Sequence, residues 1–132
     1  MFETSTKGTI LVIEDSPTQA MHLQTMLEQA GLNALVACDG ELGLQMAEQL
    51  QPDVIVLDVQ MPGMNGFQVC KRLKGIPDTA NIPIILLTRH DDDETIVLGL
   101  QMGAVDYIPK DAFADAVLIE TLRQMGLITP EE

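Results

Sequence analysis

Val54-Ile55-Val56-Leu57-Asp58-Val59-Gln60-Met61-Pro62-Gly63-Met64-Asn65-Gly66 decides the architecture. Its first four residues are an unbroken apolar run rich in β-branched side chains, as a parallel strand requires when both of its faces are covered. The run stops at a carboxylate, and Pro62-Gly63 supplies the turn before a helix that starts near Gly66. A strand that ends in an acid and leads through a loop into a helix is half of a βαβ unit. Such units carry their ligand chemistry beyond the carboxyl ends of the strands.

Working outward, residues 10–13 and 84–87 repeat the short apolar run, so three central strands are expected. Residues 34–37 and 105–108 are shorter or more mixed and belong nearer the sheet edges. The clearest helix is 17–30, where Ala20, Leu23, Leu27 and Ala30 recur at helical spacing. Ser16 suits its cap, Pro17 its first position, and Gly31 the left-handed residue that stops it. Further helices are expected at 41–50, 66–74, 93–102 and 112–125, with turns at Asp39-Gly40 and Ile82-Pro83. This alternation predicts an α/β fold, a doubly wound five-stranded parallel sheet flanked by five helices.

A chain of 132 residues has room for one domain, expected over 1–132 with an ordered core of about 8–127. The 46% hydrophobic content excludes a disordered tail. Twenty Asp and Glu against seven Lys and Arg, a formal charge of -13, would repel nucleic-acid phosphates and anionic lipid. No apolar run approaches the ~18 residues of a membrane span, and residues 1–8 lack the features of a signal peptide. A cytoplasmic protein, with no direct nucleic-acid partner and no membrane insertion, is the expectation. Cys38 and Cys70 fit no metal spacing and read as buried small apolar residues in a reducing compartment.

The chemistry gathers at strand ends. Glu14-Asp15 follow the first strand, Asp58 and Thr88 follow the other two central strands, and Lys110 follows the last through Pro109. Each alone reads as a cap, a turn former or a solvated charge. Parallel strands bring these ends together, however, and clustered acids would raise their own pKa values unless a cation compensated them. Mg²⁺ is the natural cation, with Asp15 and Asp58 as expected direct ligands. A carboxylate held by Mg²⁺ and Lys110 can attack a reactive phosphoryl donor and become an acyl phosphate on Asp58. His22 and His90 lack partner spacing for a metal and read as surface residues. The acids 91–94 read as a helix start, and Met61, Met64 and Met102 as packing or partner contacts.

Residues 10–17 (Ile10-Leu11-Val12-Ile13-Glu14-Asp15-Ser16-Pro17), 54–66, 84–88 and 106–110 resemble the response-regulator receiver family, nearly the whole chain being covered. The resemblance implies a flavodoxin-like strand order of 2-1-3-4-5. It implies a two-component phosphorelay module in which Asp58 accepts a phosphoryl group from a histidine kinase or phosphotransfer protein. Glu14 and Asp15 become the acidic pair serving Mg²⁺, Glu14 through water, and the Gln60 backbone carbonyl completes the metal site. Lys110 pairs with the phosphoryl group, Thr88 is the switch hydroxyl and Tyr107 the switch aromatic. Together they alter the face formed by the fourth helix, fifth strand and fifth helix, which a downstream protein reads. The implied molecule is not an enzyme beyond promoting its own phosphorylation and dephosphorylation, and acts as a monomer or a phosphorylation-dependent dimer.

Three positions depart from the family pattern or vary within it. Arg89 stands where a small residue usually follows the switch hydroxyl, and is expected to contact the phosphoryl group or to slow water. Asp111 replaces the usual proline after Lys110, so a cis peptide there would cost roughly 2.5 to 4 kcal/mol. Gln60 occupies a variable position that tends to influence how fast the phosphoryl group is lost. Two other readings remain open: a hydrolase with an Asp nucleophile, and a phosphate-independent scaffold. Gln60 speaks against the first, because many such hydrolases place a general acid two residues after the nucleophile.

Overall fold

The computed structural model describes residues 8–89 and 93–128. Strand β1 (Thr9–Ile13), helix α1 (Pro17–Gln29), β2 (Asn33–Ala37), α2 (Gly40–Leu50) and β3 (Val54–Asp58) make the first half. Helix α3 (Gly66–Gly75), β4 (Ile84–Thr88), α4 (Asp93–Gln101), β5 (Asp106–Pro109) and α5 (Ala114–Gln124) complete it. All strands are parallel in the order β2-β1-β3-β4-β5, so the two mixed runs do lie at the edges. The register pairs Val12 with Val56, Val56 with Ile85 and Ile85 with Asp106, which brings the carboxyl ends of four strands to one level.

Alternation along these strands sorts the core into two layers. Ile10, Val12, Val54, Val56, Ile85, Leu87 and Ile108 face Leu23 and Leu27 of α1 and Leu118 and Leu122 of α5. Leu11, Ile13, Ile55, Leu57, Ile84 and Leu86 face Leu44 and Ala47 of α2 and Val69, Cys70 and Leu73 of α3. Both faces are covered, which is why β3 and β4 are buried at every residue. Each fully buried Leu or Ile contributes roughly 1.5 to 3 kcal/mol, so this double layer gives the strand ends a rigid base.

The α1 punctuation holds: the Ser16 hydroxyl accepts from the Gln19 N–H, Pro17 opens the helix and Gly31 adopts φ +91°. Two expectations, the start of the last helix and the burial of both cysteines, are corrected. Helix α5 starts at Ala114, not at 112, because the Asp111 carboxylate accepts the Phe113 N–H and holds a turn there first. Cys38 is exposed; Cys70 is buried, its thiol donates to the Met102 carbonyl, and burial pushes that thiol up to about 11. No peptide bond among the described residues is cis, so Asp111 does not impose that cost. His90, Asp91 and Asp92 lie outside the described residues.

Candidate functional site

Strand parity places the charged groups. Ile10 and Val12, Val54 and Val56, and Ile108 all point to the α1/α5 layer. Two residues further along each strand stand Glu14, Asp58 and Lys110, which therefore emerge on that same side at the carboxyl edge. Lys110 Nζ lies 2.9 Å from Asp58 Oδ1 and 3.4 Å from Glu14 Oε1. It also donates to Gln19 Oε1 of α1 at 3.0 Å. Glu14 and Asp58 are only 2% and 3% exposed, so this ammonium is their main counter-charge.

One ammonium does not balance the acids. Burial, reinforced by the Asp58 charge and a hydrogen bond to its carboxyl, pushes Glu14 up to about 7, against the opposing effects of the Ser16 N–H and Lys110. Glu14, exposed Asp15 and Asp58 each offer a carboxylate oxygen within 4.8 Å of the others. That set of hard oxygens fits a small divalent cation. The Gln60 N–H donates to Asp58 Oδ1 at 3.2 Å and fixes the start of the β3–α3 loop over the carboxylate.

A cavity of about 450 Å³ opens here, lined by Glu14, Asp15, Ser16, Gln19, Asp58, Gln60, Arg89 and Lys110. Thr88 points to the opposite face from Asp58, in step with Ile84 and Leu86, and is buried. The Gln60 side chain bridges to it: Nε2 donates to Thr88 Oγ1 at 3.2 Å, and Oε1 accepts the Arg89 N–H at 3.3 Å. Tyr107 does not line the cavity. It is half-buried against the α2/α3 layer, paired in register with Leu86 and so on the same sheet face as Thr88. The Arg89 side chain is exposed at the cavity mouth with no ion-pair partner among the described residues.

Three contacts were not singled out from the sequence. Gln19 holds the Lys110 ammonium, and the Gln60 side chain, expected to influence phosphoryl loss but with no partner assigned to it, reaches Thr88. Gly66 passes so close that a Cβ there would sit 2.5 Å from the Asp58 carbonyl oxygen. Gly66 was detectable as a glycine at a helix start; Gln19 required knowing that α1 lies beside the β5 end. His22, by contrast, is an exposed surface residue that pairs with Asp115 of α5.

Three carboxylates, an ammonium and a bridged hydroxyl at parallel strand ends in this order define a receiver-type phosphorylation module. The chain belongs to the response regulator receiver domain family, whose model matches residues 10–123. It is 39% identical to protein PilH of Pseudomonas aeruginosa over 109 residues, which cover 83% of this chain and 90% of PilH. Chemotaxis protein CheY4 of Vibrio cholerae superposes with a TM-score of 0.84 at 29% identity, covering 90% of this chain and 98% of that one. The receiver domain of a Pseudomonas aeruginosa sensor histidine kinase, solved with a magnesium ion coordinated in its active site cleft, gives a TM-score of 0.81 at 27% identity. That match covers 90% of this chain and 97% of the other. The chain is thus a receiver domain of the response-regulator type with an acidic pocket compatible with phosphorylation in the presence of Mg²⁺.

Proposed function

We propose that Asp58 accepts a phosphoryl group from the phosphohistidine of a histidine kinase or phosphotransfer protein. An Asp58 oxygen attacks phosphorus, the bond from phosphorus to the donor imidazole breaks, and its electron pair stays on the imidazole. The carrying observation is the convergence of Glu14, Asp15 and Lys110 on this one buried carboxylate. Asp15, Asp58 and the Gln60 backbone carbonyl would hold Mg²⁺, with Glu14 acting through water. When bound, Mg²⁺ neutralises charge on the equatorial phosphoryl oxygens and aligns the donor. A cation held there would favour the ionised form of Glu14, because added positive charge lowers a carboxyl pKa raised by burial. Lys110 pairs with a second phosphoryl oxygen, and Thr88 donates to a third.

The response travels from Thr88 to Tyr107. The two share a sheet face, which supports a concerted movement that remodels α4, β5 and α5 for a downstream protein. In this reading the receiver unit, 1–132 with a core of about 8–127, is a cytoplasmic signalling module. Its only chemistry is gaining and losing its own phosphoryl group. The test is intact mass after incubation with acetyl phosphate and Mg²⁺. A metal-dependent gain of one phosphoryl group in the parent, absent from Asp58→Asn, is expected. No gain from acetyl phosphate or from a phosphorylated kinase would favour the phosphate-independent scaffold.

A further inference from the structure

Helix α1 opens with Ser16-Pro17-Thr18-Gln19, the spacing of a capping box, in which the third helical residue turns its side chain back to the N–H of the cap. Helix α3 completes such a box: Asn65 and Gln68 each accept the other's backbone N–H. In α1 only half of it forms. The Ser16 hydroxyl accepts the Gln19 N–H at 3.3 Å, but the Ser16 N–H donates to Glu14 Oε2 at 3.2 Å. The Gln19 side chain is thereby released from its own helix and crosses to the end of β5, where Oε1 accepts from Lys110 Nζ at 3.0 Å. An ammonium is a donor only, so the oxygen of the carboxamide must face it. Lys110 Nζ thus has three protons and three acceptors: Asp58 Oδ1 at 2.9 Å, Glu14 Oε1 at 3.4 Å and Gln19 Oε1.

The three acceptors are not equivalent. Asp58 and Glu14 are the carboxylates that a phosphoryl group and a cation engage, so their hold on the ammonium changes as the reaction proceeds. Gln19 is neutral and sits on α1, so its hold does not. We propose that Gln19 is a positioning residue for phosphoryl transfer, keeping the Lys110 ammonium beside Asp58 while the other two acceptors are drawn into the chemistry. The proposal rests on the phosphoacceptor reading given above. Gln19 acts through Lys110. A carboxamide leaves the full charge of the ammonium available to the phosphoryl oxygens, whereas a carboxylate in its place would hold the same proton and cancel part of that charge. Gln19→Met keeps the length and removes the acceptor, so one N–H of a lysine side chain only 14% exposed loses its partner.

Two readouts test this. The first needs neither phosphoryl donor nor metal: the proton–nitrogen NMR signal of the Lys110 ammonium in cold, mildly acidic buffer, assigned by its absence from Lys110→Met. Gln19→Met should speed exchange of those protons with water by about 10-fold, the effect of one lost hydrogen bond to a charged group. Gln19→Glu restores an acceptor and should bring exchange back toward the parent rate. The second readout is the rate of phosphorylation by acetyl phosphate in Mg²⁺, read by intact mass, with thermal unfolding alongside to show that each variant folds. Gln19→Met should slow it by about 10-fold with Lys110 present, and by about 2-fold at most in Lys110→Met, where there is no ammonium to hold. Unchanged exchange in Gln19→Met, or an equal loss of phosphorylation rate with and without Lys110, overturns the role of Gln19 and leaves Asp58 as acceptor. A parent whose ammonium depends on Gln19 but which gains no phosphoryl group overturns the phosphoacceptor reading and the proposal with it.

Discussion

Replacing Glu14 by Gln should make the metal-free protein more stable at alkaline pH. Glu14 is 2% exposed and its acid is pushed from 4.5 up to about 7, so the folded chain holds that proton more tightly than the unfolded chain does. Stability linked to the proton is full below about 4.5 and is lost as pH rises through about 7. At about 1.36 kcal/mol per pH unit the loss is about 3 kcal/mol, of which roughly 2.5 falls between about pH 5 and about pH 8. Gln cannot ionise, so the difference between parent and Glu14→Gln isolates this group from the other acids. Urea unfolding in EDTA at those two pH values measures it. The variant should gain about 2 to 3 kcal/mol on the parent between about pH 5 and about pH 8. Mg²⁺ should narrow the gap by stabilising the parent more. A difference that stays the same at both pH values would refute the account of Glu14 as an under-compensated buried acid.

Lys110→Met removes the ammonium 2.9 Å from Asp58 and leaves two buried carboxyls facing each other. It should cost about 3 kcal/mol in unfolding experiments near neutral pH, and less in acid, where protons replace the missing charge. Gly66→Ala would drive a Cβ to 2.5 Å from the Asp58 carbonyl oxygen and 2.7 Å from the Val59 Cα, both backbone atoms that cannot swing away. It should lower stability by about 1 to 3 kcal/mol and also slow phosphorylation, since the displaced backbone carries the proposed acceptor. Tyr107→Ala should leave the phosphoryl gain by intact mass intact while reducing the affinity of a downstream partner. Unchanged affinity would count against Tyr107 as a switch.

The sequence was most informative where burial and chemistry share one periodicity. Residues 10–13, 54–57 and 84–87 read as strands because both of their faces are covered, and the same alternation sends Glu14, Asp58 and Lys110 to one side. Thr88 falls out of step with them, and the Gln60 side chain bridges to it. That contact was hidden because a glutamine in a loop has many partners and only the folded β4 end selects one. The start of α5 was misplaced for a similar reason. Asp111 can open a helix or hold a turn, and its bond to the Phe113 N–H decides for the turn. Gln19 engages Lys110 across 91 residues of sequence, a distance at which no local pattern carries information.

Asp58 as the phosphoryl acceptor is the claim on which the rest depends, and reductive trapping tests it most directly. Borohydride converts an aspartyl phosphate to homoserine and leaves free carboxylates alone. Peptide mapping after treatment with acetyl phosphate, Mg²⁺ and borohydride should find homoserine at position 58 and nowhere else. Homoserine at Asp15 or at another acid, with Asp58 unmodified, would contradict the account.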